Sequence, residues 1–237
     1  MNKNKGTLFL LPTPLAEGAL ENFLPRREFE IIETLDCFVV EELRTARRFL
    51  SAAGKKGHID ELELHELNEH TEAAQIASLL KLFEGGRNVG LLSEAGLPAV
   101  ADPGAALVEL CHRQGIPVVP IVGPSSLMMA LMASGMNGQS FCFHGYLPAK
   151  TEARRKRLQE LERNSARLSQ SQIFIETPYR NDSMLADILS VCKGGTRLCI
   201  AVNISAEDEF IRTMSVEEWK KNRPEIGKRP CVFILYA

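Results

Sequence analysis

The chain has 237 residues, a formal net charge of −2, 45% hydrophobic and 24% charged residues. That length suits one large or two compact α/β domains, and the balance is that of an ordinary globular protein. The near-neutral charge argues against a general DNA-binding protein but permits a local basic patch for RNA, and no apolar run approaches the roughly 20 residues of a membrane span.

In chain order, the apolar run 7–11 predicts a strand that ends at Pro12-Thr13-Pro14. A helix is expected over 26–34, a strand over 37–40 and a helix over 43–53. Gly54-Lys55-Lys56-Gly57 reads as a loop, 61–65 as a weak strand, and 71–83 as a helix with a broad apolar face ended by Gly85-Gly86. Next come a strand at 89–92, a helix begun by Asp102 and Pro103 as cap and first turn, a strand at 117–122 and a helix at 125–133. Such alternation implies a parallel sheet with right-handed crossovers.

Met136-Asn137-Gly138 reads as a linker, which divides the chain into domains 1–136 and 137–237. Beyond it, strands are expected at 141–145, 173–176, 198–202, 209–213 and 231–235, with helices at 151–164, 182–192 and 216–222. Fewer helices per strand suggest a mixed sheet in a second α/β domain. The six cysteines, Cys37, Cys111, Cys142, Cys192, Cys199 and Cys231, show no C-x-x-C spacing. Buried reduced thiols are the expectation, with no metal site and no disulfide framework. No secretory apolar segment follows Met1-Asn2-Lys3-Asn4-Lys5, so a cytoplasmic, soluble protein is expected.

Two stretches carry the functional signal: Ser93-Glu94-Ala95-Gly96-Leu97-Pro98 with Asp102-Pro103-Gly104, and Val122-Gly123-Pro124-Ser125-Ser126. Each follows an apolar strand and leads toward a helix, which places turn chemistry at the carboxyl ends of parallel strands, where open α/β sheets bind ligands. The first strand is followed by Pro12-Thr13-Pro14 instead of G-x-G-x-x-G, so the dinucleotide fingerprint is absent, and so is Walker A. Lys150, Arg154, Arg155, Lys156 and Arg157 form a basic cluster that reads either as a contact for a phosphate backbone or as a solvated helix face.

Seven segments in order resemble the tetrapyrrole methylase superfamily, the two-domain class III S-adenosylmethionine methyltransferases, and within it the branch that modifies ribosomal RNA. They are Gly6-Thr7-Leu8 with Leu11-Pro12-Thr13-Pro14-Leu15; Glu41-Glu42-Leu43-Arg44; His65-Glu66 with Asn68-Glu69; the Ser93 to Gly104 stretch; Gly123-Pro124-Ser125; the segment from Phe143 to Lys150; and Glu176-Thr177-Pro178-Tyr179-Arg180. Departures fall at Ala16-Glu17, at Leu43, at Val202-Asn203-Ile204-Ser205-Ala206 and at Lys228-Arg229-Pro230. The branch also usually carries a helical extension beyond the residue that matches Ala237.

The resemblance implies two α/β domains, the first a mostly parallel sheet flanked by helices and the second a mixed sheet, with the cofactor in the cleft between them. It implies S-adenosylmethionine as cofactor and Pro12, Ser93, Ala95, Gly96, Gly123, Ser125, Ser126 and Glu176 as its contacts, although the serines also suit plain helix caps. It places Asn68, Glu69 and Arg180 on the substrate side, beside Lys150 and Arg154 of the basic cluster. It places Glu42 and Arg44 at the cleft, as base and charge stabiliser for a ribose hydroxyl or as a surface ion pair. His65 reads as a structural hydrogen-bonder. The implied reaction is 2′-O-ribose methylation of 16S ribosomal RNA, with the small ribosomal subunit as partner. The implied assembly is a homodimer to which the Met128, Met129, Met132 helix contributes. A tetrapyrrole acceptor, or cofactor binding without catalysis, are the alternatives.

Overall fold

The computed structural model describes residues 5–237; Met1 to Asn4, part of the segment read above for its lack of a leader, lie outside the described residues. The chain forms two compact units, one running to Ser125 and the other from Ser126 to Ala237.

In the first unit five strands form a parallel sheet: β1 (Leu8–Leu11), β2 (Cys37–Val40), β3 (Glu63–Glu66), β4 (Val89–Leu92) and β5 (Val118–Pro120), in the order β3-β2-β4-β1-β5. β2 and β4 are buried along their whole length, which is why they read as unbroken apolar runs and not as alternations. Helices cover both faces. On one, α1 (Arg26–Thr34) and α2 (Leu43–Leu50) place Ile32, Ala46 and Leu50 against Leu11, Phe38, Val40 and Leu92. On the other, α3 (Ala73–Ser78) and α4 (Ala105–Arg113) complete a layer in which Leu107, Cys111 and Phe83 meet Leu8, Val39 and Leu91.

The helix expected over 43–53 runs as an α-helix to Leu50 and continues as one π-helical turn, broken at Gly54 with φ 111°. Two local expectations are corrected. The helix expected over 71–83 begins at Ala73 after a Glu72–Gln75 capping box and tightens into a 3-10 segment at Leu79–Phe83. Asp102 does not cap α4. Gly104, at φ 124°, is the capping residue, because the chain makes further left-handed turns at Ala99 and Ala101 before the helix starts.

The second unit opens with α5 (Ser126–Ser134), continues through β6 (Phe141–Tyr146), α6 (Thr151–Leu168), β7 (Ser171–Ile175), α7 (Asn181–Val191), β8 (Arg197–Val202), β9 (Phe210–Ser215) and α8 (Val216–Lys221), and ends with β10 (Cys231–Tyr236). Its sheet order is β6-β7-β10-β8-β9; β6 and β7 are parallel and the remaining pairs antiparallel, a mixed sheet as expected. Leu158, Leu161, Met184, Ile188, Trp219, Phe174 and Phe233 form its largest core, with the two phenylalanine rings stacked at 5.6 Å and the Trp219 indole donating to the Leu198 carbonyl at 2.8 Å. α5 packs on β8, β9 and β10, and its last carbonyl accepts a 2.8 Å hydrogen bond from Thr213. The chain therefore passes from one unit to the other before α5, ten residues ahead of the linker expected from Met136-Asn137-Gly138.

All six cysteines are free thiols and all but Cys142 are buried. Burial pushes Cys37 and Cys111 up to about 11 and Cys192 up to about 12, and raises Cys199 and Cys231 as well. Among the described residues, no helix is long and apolar enough to cross a membrane.

Candidate active site

The carboxyl ends of β1, β4 and β5 are locked to one another. The Thr13 amide donates to the Gly96 carbonyl at 2.9 Å, the Gly96 amide returns the bond to the Thr13 carbonyl at 3.0 Å, and the buried Thr13 hydroxyl donates to the Ser93 carbonyl at 3.2 Å. Gly96 sits at φ 81°, in the left-handed region that favours glycine. Gly123 leaves no room for a side chain: a Cβ there would lie 2.1 Å from Cβ of Pro12. Pro12, Ser93, Gly96 and Gly123, expected from separate stretches of sequence, thus belong to one edge. Ala95 is exposed beside Gly96, Ser125 ends the first unit, and Ser126 is the first residue of α5 in the second.

Ser93 is 7% exposed, and its hydroxyl oxygen is buried without a formed hydrogen bond. A small cavity of about 70 Å³ adjoins it, lined by Thr13, Thr45, Phe49, Leu92 and Glu94 among others. The Thr45 hydroxyl lies 2.7 Å from Glu94 Oε1 and 3.0 Å from Glu42 Oε2.

The two carboxylates after β2 have opposite surroundings. Glu42 is the N-cap of α2: its oxygens accept the Arg44 amide at 2.9 Å and the Thr45 amide at 2.7 Å, and these bonds hold its carboxyl below the ordinary glutamate range. The structure thus shows Glu42, expected as a base or one half of a surface ion pair, as the capping residue of α2. Arg44 is exposed on the first turn of that helix. Glu41 faces the other way. Its Oε2 is buried with no partner, and burial, then the charge of Glu94, raises its carboxyl. Burial, then Glu41 and Glu94, raises Asp102 to about 6. Sequence reasoning passed over Glu41 and Asp102; the available signal was that both lie within motif segments at strand ends.

At the end of β3, Asn68 shapes a turn by accepting the His70 amide at 3.0 Å, and exposed Glu69 pairs with His70 at 3.6 Å. A polar cavity of about 410 Å³ opens there, lined by His65, Asn68, His70, Thr71 and Gln75 among others. His65 hydrogen-bonds Glu63 at 2.7 Å. Cys37, Glu63 and His65 are the one group among the described residues compact enough to ligate a metal ion. Arg87 already pairs with Glu63 and with Asp36, and the Cys37 thiol is held protonated by burial, so the charges there are answered without an ion.

The basic cluster of the second unit is largely neutralised within the unit. Arg154 is buried, its guanidinium bound to Asp187 at 2.5 Å and to the Ala149 carbonyl at 3.1 Å. Arg155 shares Asp187 at 2.7 Å, Lys156 pairs with Glu152 at 2.9 Å, and Arg157 with Glu160 at 2.6 Å. Arg154 therefore has no free face for a phosphate, whereas Lys150 stays exposed at the N-terminus of α6. Glu176 lies buried after β7. Its Oε1 accepts from Arg180 at 2.6 Å and from the Thr177 amide at 2.7 Å, while its Oε2 is buried with no partner.

Solved structures share the fold. The methyltransferase CobJ matches with a TM-score of 0.62 at 20% identity, covering 98% of this chain and 94% of that one. Uroporphyrin-III C-methyl transferase from Thermus thermophilus, solved in complex with S-adenyl homocysteine, matches with a TM-score of 0.57 at 18% identity, covering 98% and 97%. The two α/β units of this chain share the fold of those structures. The model of the tetrapyrrole (corrin/porphyrin) methylases matches residues 20–220, and the chain belongs to that family. Its curated relatives include the ribosomal RNA small subunit methyltransferase I of Escherichia coli O157:H7, 31% identical over 99% of this chain and 79% of the relative. That of Pseudomonas aeruginosa is 33% identical over 97% and 78%. The protein is accordingly an S-adenosylmethionine-dependent methyltransferase.

The edge fits that cofactor. An adenosyl sulfonium carries no phosphate, so backbone and hydroxyl contacts suffice, and the buried Ser93 hydroxyl beside the tightly packed Pro12–Gly123 backbone suits them.

Proposed function

We propose that the protein methylates a ribose 2′-hydroxyl of small-subunit ribosomal RNA. The observation that carries this reading is similarity to ribosomal RNA small subunit methyltransferase I along almost the whole chain, including the strand-end segments. Pro12, Ser93, Ala95, Gly96, Gly123, Ser125, Ser126 and Glu176 are the residues proposed to hold S-adenosylmethionine, with Asn68, Glu69, Lys150 and Arg180 on the RNA side and Arg44 beside the acceptor.

Bound S-adenosylmethionine supplies an already activated methyl group. The protein's share is to fix the acceptor in line, exclude water and receive a proton. The interlocked loops supply rigidity, because Thr13 and Gly96 hold each other through both backbone groups. A ribose hydroxyl ionises far above neutral pH, so a carboxylate within reach of it contributes by taking the proton as the new bond forms.

We place the protein in the cytoplasm, where its RNA substrate is made. We also propose that it pairs with a second copy through the outer face of α5, where Met128 and Met132 are exposed. Sedimentation at micromolar concentration checks the pairing. Mass spectrometry of 16S RNA ribose methylation, in cells with and without the protein, tests the activity. An identical modification profile in both overturns the RNA reading.

A further inference from the structure

We propose that Glu41, and not its neighbour Glu42, takes the proton from the hydroxyl that is methylated, with Asp102 as the positioning carboxylate beside it. The inference rests on the hydroxyl-acceptor reading above and names the group that reading leaves open.

Two buried atoms carry it. Oε2 of Glu41 is buried without a donor, and the Ser93 hydroxyl is buried with only the Asp102 carboxyl beside it, which leaves its oxygen open to a ligand. A buried oxygen without a donor is rare in folded proteins, because it costs about 1–3 kcal/mol. The two atoms also lie at adjacent strand ends. β2 and β4 pair in parallel at Phe38 with Gly90 and Val39 with Leu91, and the same register continued brings Glu41 beside Ser93. Neighbouring strands stand about 4.8 Å apart. A single oxygen roughly 2.7 Å from each side chain spans that gap. The group that satisfies both atoms is an alcohol: it donates its O–H to the carboxylate and accepts from the serine hydroxyl.

The charges suit the task. Burial first, then the charges of Glu94 from beyond β4 and Glu69 from beyond β3, raise Glu41 against a lowering hydrogen bond from the Glu94 backbone, and Glu41 and Glu94 in turn raise Asp102 from the loop before α4. Glu42, with both oxygens on helix amides, has its basicity lowered and not raised. In the step itself the acceptor oxygen forms its bond to the methyl carbon while the carbon–sulfonium bond breaks, leaving a neutral thioether. The O–H electron pair stays on oxygen, and the proton passes to Oε2 of Glu41 and then to water.

The test uses the full-length protein, 30S subunits and labelled S-adenosylmethionine under single-turnover conditions. Glu41→Gln is expected to slow transfer at least ~100-fold, with adenosylhomocysteine affinity by calorimetry unchanged within about twofold. Glu42→Gln is expected to stay within a few-fold of wild type. Asp102→Asn is expected to slow transfer while leaving adenosylhomocysteine affinity unchanged within about twofold. Carboxyl-carbon NMR of the free protein should show Glu41 titrating above the ordinary glutamate range and Asp102 above the ordinary aspartate range. Transfer by Glu41→Gln within threefold of wild type overturns the proposal. So does a loss matched by an equal loss of adenosylhomocysteine affinity, which would make Glu41 a cofactor contact. If wild-type protein binds adenosylhomocysteine but leaves 30S subunits unmethylated, the substrate reading fails instead. The Glu41 proposal is then decided by the NMR titration, an ordinary glutamate value overturning it.

Discussion

Glu28 shows how much one side chain determines. It lies on the first turn of α1 with zero exposure and no partner for either oxygen, and burial lifts its carboxyl from 4.5 to about 8. The folded protein therefore holds a proton there that the unfolded chain releases above its ordinary value. The stabilisation is complete below about pH 4.5 and is lost as pH rises through 8, a change of at most about 4–5 kcal/mol. Melting temperatures of Glu28→Gln should lose this share of the decline between pH 5 and 9; an unaltered slope would refute the assignment. Gly123 is the opposite case, a site defined by absent atoms. Its missing Cβ is replaced in space by the Pro12 ring, which cannot rotate away. Gly123→Ala should weaken adenosylhomocysteine binding more than about tenfold by calorimetry, the equivalent of 1.4 kcal/mol.

Among the elements, α6 separates what a sequence discloses from what it hides. Its start follows from composition while its end runs four residues past the expected 164, and the fate of its cations depends on Asp187, 33 residues beyond Arg154, which claims both Arg154 and Arg155. A run of positive charge thus reads as a surface until the partner helix is known. Asp187→Asn should cost about 3–5 kcal/mol in denaturant unfolding, because it leaves a buried guanidinium without its counter-charge. The strands were legible for a plain reason: β2 and β4 are short apolar runs bounded by polar or turn residues, and the structure starts and stops them as expected. The start of α4 was not, because Asp102 and Pro103 imitate a helix entry while the chain makes positive-φ turns at Ala99, Ala101 and Gly104. The candidate site was half legible. Loops at strand ends announce themselves through Gly, Pro and Ser, but which of two adjacent glutamates turns inward is decided by the cap of α2, a three-dimensional matter.

For the whole molecule, ligand binding and stability are linked. A ligand that binds only the folded state, at 100 times its dissociation constant, adds about 2.7 kcal/mol. For a chain of this length that corresponds to a rise of roughly 5–10 °C in melting temperature. Adenosylhomocysteine should produce it, and no shift at that excess would contradict cofactor binding. The thiols offer a second view of the whole. Cys142 is half-buried, whereas the other five are buried and held protonated by their surroundings. An alkylating reagent followed by mass spectrometry should add one label quickly and the rest only when the molecule opens. The slow labels, mapped to Cys37 and Cys111 or to Cys192, Cys199 and Cys231, would time the opening of each half of the chain without any engineered probe.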